Sequence, residues 1–255
     1  MQPDVWLTLH TDSDLCRILY SVGYEFSERD FVNRVVRPGD TFIDVGANIG
    51  LYSVLAAHIV GPAGRVVSFE PSSRTFQRLQ ANITAGGYFN VICHQLALGA
   101  NAGTDIMTVL DDGRDAWNTI SSSPHDGEFH LESVRTVTWD DLTQKHEYLH
   151  SAILIKVDIE GAEHAFLRGA PVSLMRGDAP SLLIEVQDSR AGSGAELCNL
   201  LLQYGYRLYE YQRASASLVP HSLQQFYKYT NLIATKHLDH LLSRLEGGTS
   251  PSWLR

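Results

Sequence analysis

Residues 41–50 read Thr-Phe-Ile-Asp-Val-Gly-Ala-Asn-Ile-Gly. The first half is a short, mostly apolar run that Pro38-Gly39-Asp40 introduces with a turn, the pattern of a buried strand. A helix is predicted from about Gly50 to His58, stopped by Gly61-Pro62. A buried strand that enters a glycine turn and then a helix brings backbone close to a ligand, and Gly46 and Gly50 supply the room. Asn48 stands at the middle position, where many such loops have glycine. Asn tolerates left-handed backbone angles better than most residues. The helix amides beyond Gly50 favour negative charge, such as a ligand carboxylate.

The same rhythm extends outward from this unit. Residues 65–69 (RVVSF) read as a second strand, 73–85 as a helix ended by Gly86-Gly87, and 91–97 (VICHQLA) as a third strand. Residues 100–138 break the alternation with Gly, Asp, Asn and Ser clusters around two alternating stretches, 104–109 and 133–138. They are read as an inserted hairpin with a loop near 111–130. The rhythm returns with strand 152–157, helix 162–175, strand 181–186 and helix 195–204. Residues 206–211 and 230–235 are read as the last strands, an antiparallel pair, and 239–245 as a short helix. Before the first strand, 12–36 read as helical, with Ser27 as the cap of a second segment. The predicted fold is α/β: a Rossmann-like, mostly parallel sheet with an antiparallel final strand and helices on both faces. It forms one domain over 1–255, with a helical segment 1–37, a core 38–235 and a tail 236–255.

The second strand ends in Phe69-Glu70-Pro71, and Glu70 lies 20 residues after Gly50. At that place a carboxylate can accept both ribose hydroxyl protons. Ribose binding alone leaves a nicotinamide dinucleotide and S-adenosylmethionine (AdoMet) both open. The glycine pattern lacks the full Gly-x-Gly-x-x-Gly that seats a pyrophosphate. Asp44 also suits a cationic amino group and would oppose a diphosphate. These two features favour AdoMet over an NAD(P)-linked oxidoreductase or epimerase; a non-catalytic ligand-binding module is the third alternative.

Composition narrows the partners. The chain has 255 residues and a net charge of -9, and a surface of that sign repels a phosphate backbone, so nucleic acid is not expected. The three cysteines form no Cys-x-x-Cys pair, which fits a reducing cytoplasm. The start of the chain lacks the pattern of a signal peptide, and no apolar stretch is long enough to span a bilayer.

The chain resembles the FkbM family of class I methyltransferases over roughly residues 38–235. The resemblance rests on Asp44–Ser53 (DVGANIGLYS), Phe69-Glu70-Pro71, Ile155–Glu163 (IKVDIEGAE), Leu183–Val186 (LIEV) and Tyr229–Leu232 (YTNL). It implies AdoMet as methyl donor and O-methylation of a small hydroxylated acceptor, such as a polyketide, a deoxysugar or a glycolipid. Cofactor contacts are then expected at Asp44, Gly46, Asn48, Gly50 and Glu70. Ala97 and Leu98, after the third strand, are expected beside the adenine.

The acceptor side is expected after the fourth strand. Lys156 and Asp158 are two apart in a strand and point to one face, where a buried lysine needs a partner, so an ion pair is predicted. Asp158, Lys156, Glu160 and Glu185 are the candidate catalytic residues, with Asp158 foremost as base or orienter. Glu160 and Glu163 are also readable as helix-start carboxylates that favour the macrodipole. Asp158 and Glu185 at neighbouring strand ends leave Mg²⁺ as an option, not favoured, because the spacing fixes no octahedral set. His146-Glu-Tyr-Leu-His150 matches the His-Glu-x-x-His zinc pattern, but it leads directly into a strand instead of lying on one helix. His94 reads as a core histidine and His164 as a weaker base than Asp158. Asn118, Ser121 and Ser122 lie in the inserted excursion; the resemblance implies a loop that faces the ligand, and a plain polar loop reads the same residues equally well.

Overall fold

The computed structural model describes residues 5–114, 118–120, 128–189 and 192–248. The chain begins with α1 (Asp14–Ser21), α2 (Phe26–Val35), β1 (Thr41–Val45), α3 (Leu51–Val60), β2 (Arg65–Phe69), α4 (Ser73–Ala85) and β3 (Val91–His94). Next come β4 (Ala97–Leu98), β5 (Gly103–Leu110), β6 (Phe129–Val137), α5 (Trp139–Lys145), β7 (Ala152–Val157), α6 (Glu163–Arg168), α7 (Pro171–Leu174) and β8 (Ser181–Val186). Last are α8 (Gly194–Gln203), β9 (Arg207–Gln212), β10 (Ser217–Pro220), β11 (Thr230–Thr235) and α9 (Leu238–Gly247).

The main sheet has eight strands in the order β10-β9-β11-β8-β7-β1-β2-β3. β3, β2, β1, β7 and β8 run parallel, and β11 runs antiparallel to both β8 and β9. This is the expected Rossmann-like α/β sheet with an antiparallel final strand. Its central strands are apolar on both sides because helices cover both. Phe42, Val66, Leu154 and Leu183 pack with the helices α2, α3 and α9. Ile43, Val67, Ile155 and Leu182 pack on the other face with Trp139, Phe166 and Leu197. The chain order reverses at β1, between β2 and β7, and at such a switch point the strand ends open a crevice.

Several boundaries differ from the expectations. The strand predicted over 91–97 divides: β3 stops at His94, and Ala97–Leu98 joins a second sheet, β4-β6-β5. β5 and β6 are the two arms of the predicted hairpin, paired from Gly103↔Thr136 to Leu110↔Phe129. Ser121 and Ser122, expected on its loop, lie outside the described residues. The helix predicted over 162–175 divides at Gly169 into α6 and α7, with Pro171 opening the second helix, a position where its missing N–H is harmless. β10, a short edge partner of β9, had no clear sequence signal. Ser27 is not a cap. α2 begins at Phe26, and its cap residue is Glu25, in the left-handed region at φ 47° with no side-chain capping bond. Among the described residues no helix is long and apolar enough to cross a membrane.

Gly169 shows how the hairpin is attached to the core. A Cβ there would stand 2.0 Å from the Gly99 carbonyl oxygen, so the β4–β5 link rests directly on the α6–α7 link. Gly169→Ala must push these backbones apart, and overpacking of this kind costs about 1–3 kcal/mol. Urea unfolding should therefore show a lower midpoint at unchanged slope, and an unchanged midpoint would mean the contact is loose.

Candidate functional site

The turn after β1 is built as the sequence suggested, but for a different immediate reason. Gly46, Asn48 and Gly50 all have positive φ, at 82°, 49° and 97°. A Cβ on Gly46 would lie 1.9 Å from the Asp158 carbonyl oxygen, so this glycine lets the β1 and β7 strand ends close on each other. A Cβ on Gly50 would meet the Leu79 side chain at 2.8 Å. The expected collision of a Gly46 side chain with a ligand is thus preceded by a collision with the protein itself.

Glu70 is buried at the end of β2, and both carboxylate oxygens are used. Oε2 accepts from the Asn48 amide at 3.0 Å and Oε1 from the Ser72 amide at 3.0 Å. The carboxylate therefore ties the glycine turn to the β2 exit. Burial pushes its pKa up to about 7, against the lowering effect of those two amides. Asp44 is almost fully enclosed. Its Oδ2 accepts from Ser53 Oγ at 2.6 Å, and Ser53 Oγ is 2.8 Å from Ser68 Oγ. Its Oδ1 has no partner. Burial raises its pKa, opposed by Lys156 and by the Ser53 hydrogen bond.

Above them lies a cleft of about 560 Å³, its open mouth included, that Asp44 and Gly50 do not line. Gly46, Asn48, Glu70 and Pro71 line one side, and Ala97 and Leu98, both buried, line another. Met107, Asn118 and Ile120 reach in from the hairpin. Asn118 holds its own loop, with Oδ1 accepting from the Leu110 amide at 2.9 Å. Asp158 and Glu160 complete the wall, and they also line a second hollow with Tyr24, Glu25, Tyr52 and Lys156. That hollow runs on into a third, between Glu28, Glu160, Glu185, Gln187 and Tyr229.

The predicted ion pair is present: Lys156 Nζ donates to Asp158 Oδ2 at 2.7 Å. Lys156 is buried, in register with Asp44 across the β1–β7 pair, and its ammonium lies 4.5 Å from the Tyr52 ring centre. Burial opposes its charge, but Asp158, Glu25 and Asp44 outweigh burial and hold its pKa above the ordinary range. The neighbouring carboxyls rise as well, which for an acid favours the neutral form. Glu185 is pushed up to about 11 and Glu160 to about 9, each by burial first and then by Asp158. Glu163 does not face the acceptor side: it is buried, and its Oε1 accepts from the Ile159 amide at 2.9 Å, bracing the loop after β7. β7 and β8 are neighbours, so Asp158 and Glu185 stand at adjacent strand ends, but among the described residues no three His, Cys, Asp or Glu side chains converge as a metal site.

The histidines are placed elsewhere. His146 sits between α5 and a 3₁₀ turn over Glu147–Ser151, so the His-Glu-x-x-His pattern straddles a break at the entry end of β7. His94 stacks on Phe69 at 5.2 Å, and burial lowers its pKa. His164 is buried with Nε2 3.1 Å from the Ser193 carbonyl, and burial likewise lowers its pKa. Neither imidazole lines the cleft or the hollows. Sequence reasoning missed Tyr24, Glu25 and Tyr52, which lie on one hollow, and Tyr229, whose hydroxyl donates to Glu25 Oε1 at 3.3 Å. The one local signal was Gly23, a turn residue that breaks the predicted N-terminal helix beside them.

Comparison with known proteins places this geometry. The model of the methyltransferase FkbM domain matches residues 44–208, more than half of the chain. "Methyltransferase 1" of Beauveria bassiana is 28% identical over 148 residues, covering 52% of this chain and 59% of that protein. The 31-O-demethyl-FK506 methyltransferase FkbM of Streptomyces tacrolimicus is 35% identical over 115 residues, covering 44% of this chain and 42% of that one. The chain thus spans less than two thirds of these curated relatives. Among solved structures, a methyltransferase FkbM from Methylobacillus flagellatus KT aligns with a TM-score of 0.47 at 17% identity, covering 87% of this chain and 60% of that one. Aeropyrum pernix fibrillarin, solved with S-adenosyl-L-methionine natively bound, aligns at a TM-score of 0.44 and 14% identity, covering 79% and 68%.

The raised carboxyls fix a sign for stability against pH. Glu70 and Glu163 rise to about 7, Glu160 to about 9 and Glu185 to about 11, so the folded state keeps protons that the unfolded chain has already released. Stability must then fall as pH rises above the unfolded glutamate value. His94 and His164 act oppositely near their ordinary range, so the fall is clearest from about pH 7 to 9, where Glu160 and Glu185 remain. The Tm should drop over that window, and Glu185→Gln should flatten the drop. A Tm that climbs across it would contradict the burial of these groups.

Proposed function

Because this chain belongs to the FkbM methyltransferase family, whose cofactor is AdoMet, we propose that it transfers a methyl group from AdoMet to a hydroxyl of a small molecule. The observation that carries this reading is the shared wall. Asp158 and Glu160 separate the cleft at the β1 and β2 strand ends from a second, acid- and tyrosine-lined hollow. A donor on one side and an acceptor on the other would meet at those two residues.

The residues present suit the donor. Glu70 spends one lone pair of each oxygen on a backbone amide and has others for ribose hydroxyls. Asp44 Oδ1 is a buried acceptor without a partner, the kind of atom that a donor from the ligand's amino group would satisfy. Ala97, Leu98, Met107 and Ile120 offer an apolar slot for a purine. Gly46, Asn48 and Gly50 shape the turn under them. Bound AdoMet supplies a methyl group already activated on a sulfonium, so the protein's share is mainly to position the acceptor and take its proton. In this reading Lys156 anchors Asp158 by its hydrogen bond, Asp158 orients the acceptor hydroxyl, and Glu160 and Glu185, protonated at neutral pH, donate hydrogen bonds to the acceptor's other oxygens. Oxygen-rich acceptors such as deoxysugars, polyketides or glycolipid headgroups fit such a lining, in a protein that works in the cytoplasm.

A thermal-shift series tests the donor. AdoMet and its demethylated product should raise the Tm, and NAD and NADP should not. Glu70→Ala should weaken AdoMet binding by about 1–3 kcal/mol, because it removes an acceptor from the ribose and from two amides. Binding at parental strength would remove Glu70 from the site. Mass spectrometry of hydroxylated metabolites then tests transfer, with a methyl ether as the expected product. Asp158→Asn should cut turnover roughly 10²-fold. It should also lower the Tm, since the buried Lys156 ammonium loses its nearest carboxylate. Full turnover by this variant would leave the pair a purely structural role.

A further inference from the structure

The base for the transfer is not obvious among the strand-end carboxyls. Asp158 accepts from a buried ammonium at 2.7 Å, and protonating it would strip that cation of its closest partner. Glu160 and Glu185 are enclosed by like charges and keep their own protons at neutral pH. Glu163 spends its carboxylate on loop amides. One carboxylate at the junction of the hollows is held more loosely: Glu25 accepts only a long 3.3 Å hydrogen bond, from the Tyr229 hydroxyl, on Oε1. Glu25 lines both the hollow shared with Gly46, Asn48, Lys156 and Asp158 and the hollow that runs on to Glu185 and Tyr229. Its backbone is left-handed, at φ 47° and ψ 52°, an uncommon conformation for a residue with a side chain. It caps α2 by position but not by a side-chain bond, so helix capping does not account for it.

A second observation marks the same space as a ligand's. The Tyr52 hydroxyl is buried against this hollow and interacts with the Glu25 carboxylate, but it forms no well-shaped hydrogen bond to it or to any other described group. A hydroxyl bound beside the two groups would accept from Tyr52 and donate to Glu25.

We propose that Glu25 is the catalytic base of the transfer: it accepts the proton of the acceptor hydroxyl while Tyr52 donates to the same oxygen. This rests on the reading of the hollow as the acceptor site. The acceptor O–H bond breaks with its proton passing to a Glu25 carboxylate oxygen. The new C–O bond forms to the methyl carbon as the C–S bond breaks, and that bond's electron pair stays on sulfur. Glu25 returns the proton to solvent after release.

The charged surroundings agree with the role. Burial pushes the Glu25 pKa up to about 7, Lys156 opposes, and Asp158 and Glu28 add to the rise. The other groups facing Glu25 are the Tyr24, Tyr52 and Tyr229 phenols, whose pKa values are raised, and Glu160 and Arg29. A base poised near neutrality combines a free lone pair with enough proton affinity. Glu25 also lies outside residues 44–208, so the family pattern does not assign it.

Three variants of the full-length protein decide the matter. Glu25→Gly relieves the left-handed backbone, which offsets the loss of the Tyr229 hydrogen bond and of one carboxylate near Lys156, so its Tm should stay within a few degrees of the parent's. A Tm several degrees lower would make Glu25 a structural residue and overturn the proposal without any acceptor. Glu25→Gln and Glu25→Asp are then assayed with whichever panel compound the parent methylates best. Glu25→Gln should lose at least about 10²-fold in kcat with the S-adenosylhomocysteine Kd unchanged, and the rising limb of kcat/KM near pH 7 should vanish. Glu25→Asp should recover part of the loss. Parental kcat, or a retained limb, in Glu25→Gln would overturn the assignment. If the parent methylates amines and not hydroxyls, only the hydroxyl reading fails, because an amine must also shed a proton and the same losses at Glu25 are expected.

Discussion

The position of one buried cation sets most of the site. Lys156 sits mid-sheet, between Asp44 on the neighbouring strand and the Tyr52 ring above it, with Asp158 as its hydrogen-bonded partner. An ammonium enclosed in this way is tolerable only with carboxylates close by. Asp158, Asp44 and Glu25 fill that role and keep it charged. The remaining acids at the strand ends are buried and lie beside the Asp158 carboxylate, so burial first and that charge second disfavour their ionisation. They retain protons instead. The joined hollows thus set the Asp158 carboxylate, held by Lys156, beside Glu160 and Glu185, whose pKa values are raised furthest, and Glu25, which is raised to about 7.

The glycine turn shows a related economy. Gly46 has no side chain because the Asp158 carbonyl occupies the place where one would be. The same approach hands the Asp158 amide to the Val45 carbonyl, so the turn and the ion pair are one rigid unit. Glu70 adds a third tie by holding the Asn48 and Ser72 amides. A binding loop fixed by protein contacts loses little freedom when a ligand arrives, and less ordering cost means tighter binding for the same contacts.

The sequence disclosed the parts whose physics is local. A buried strand entering Gly46-Ala-Asn48-Ile-Gly50 could hardly form anything but a tight turn, and Asn48 does adopt the left-handed angle. The i, i+2 spacing of Lys156 and Asp158, together with the burial of that strand, was enough to foresee their pairing. What stayed hidden depended on distant contacts. The helix over 162–175 breaks at Gly169 because Gly99, 70 residues earlier, needs that space. Ala97–Leu98 leaves the main sheet because β6 competes for it. Glu25 looked like an ordinary residue in a helical stretch; its left-handed angle and its entry into the hollow follow from how α2 docks on β9 and α9, which no periodicity reveals.

The division between core and flanks carries a functional consequence. Asp44, Gly46, Asn48, Gly50, Glu70, Ala97 and Leu98 all fall within residues 44–208, as do Lys156, Asp158, Glu160 and Glu185. The outer wall of the hollow does not: Tyr24, Glu25 and Glu28 precede that stretch, and Tyr229 follows it. Flanking segments from both sides of the core therefore meet across the same opening, joined by the Tyr229–Glu25 and Asn231–Glu28 hydrogen bonds. In the proposed reading the donor is held by side chains bound to the strand ends. The acceptor is shaped by segments that lie outside the matched core, before β1 and just before β11. A charge-held core with a separate rim lets one fold keep its methyl donor while the molecule that receives the methyl group varies.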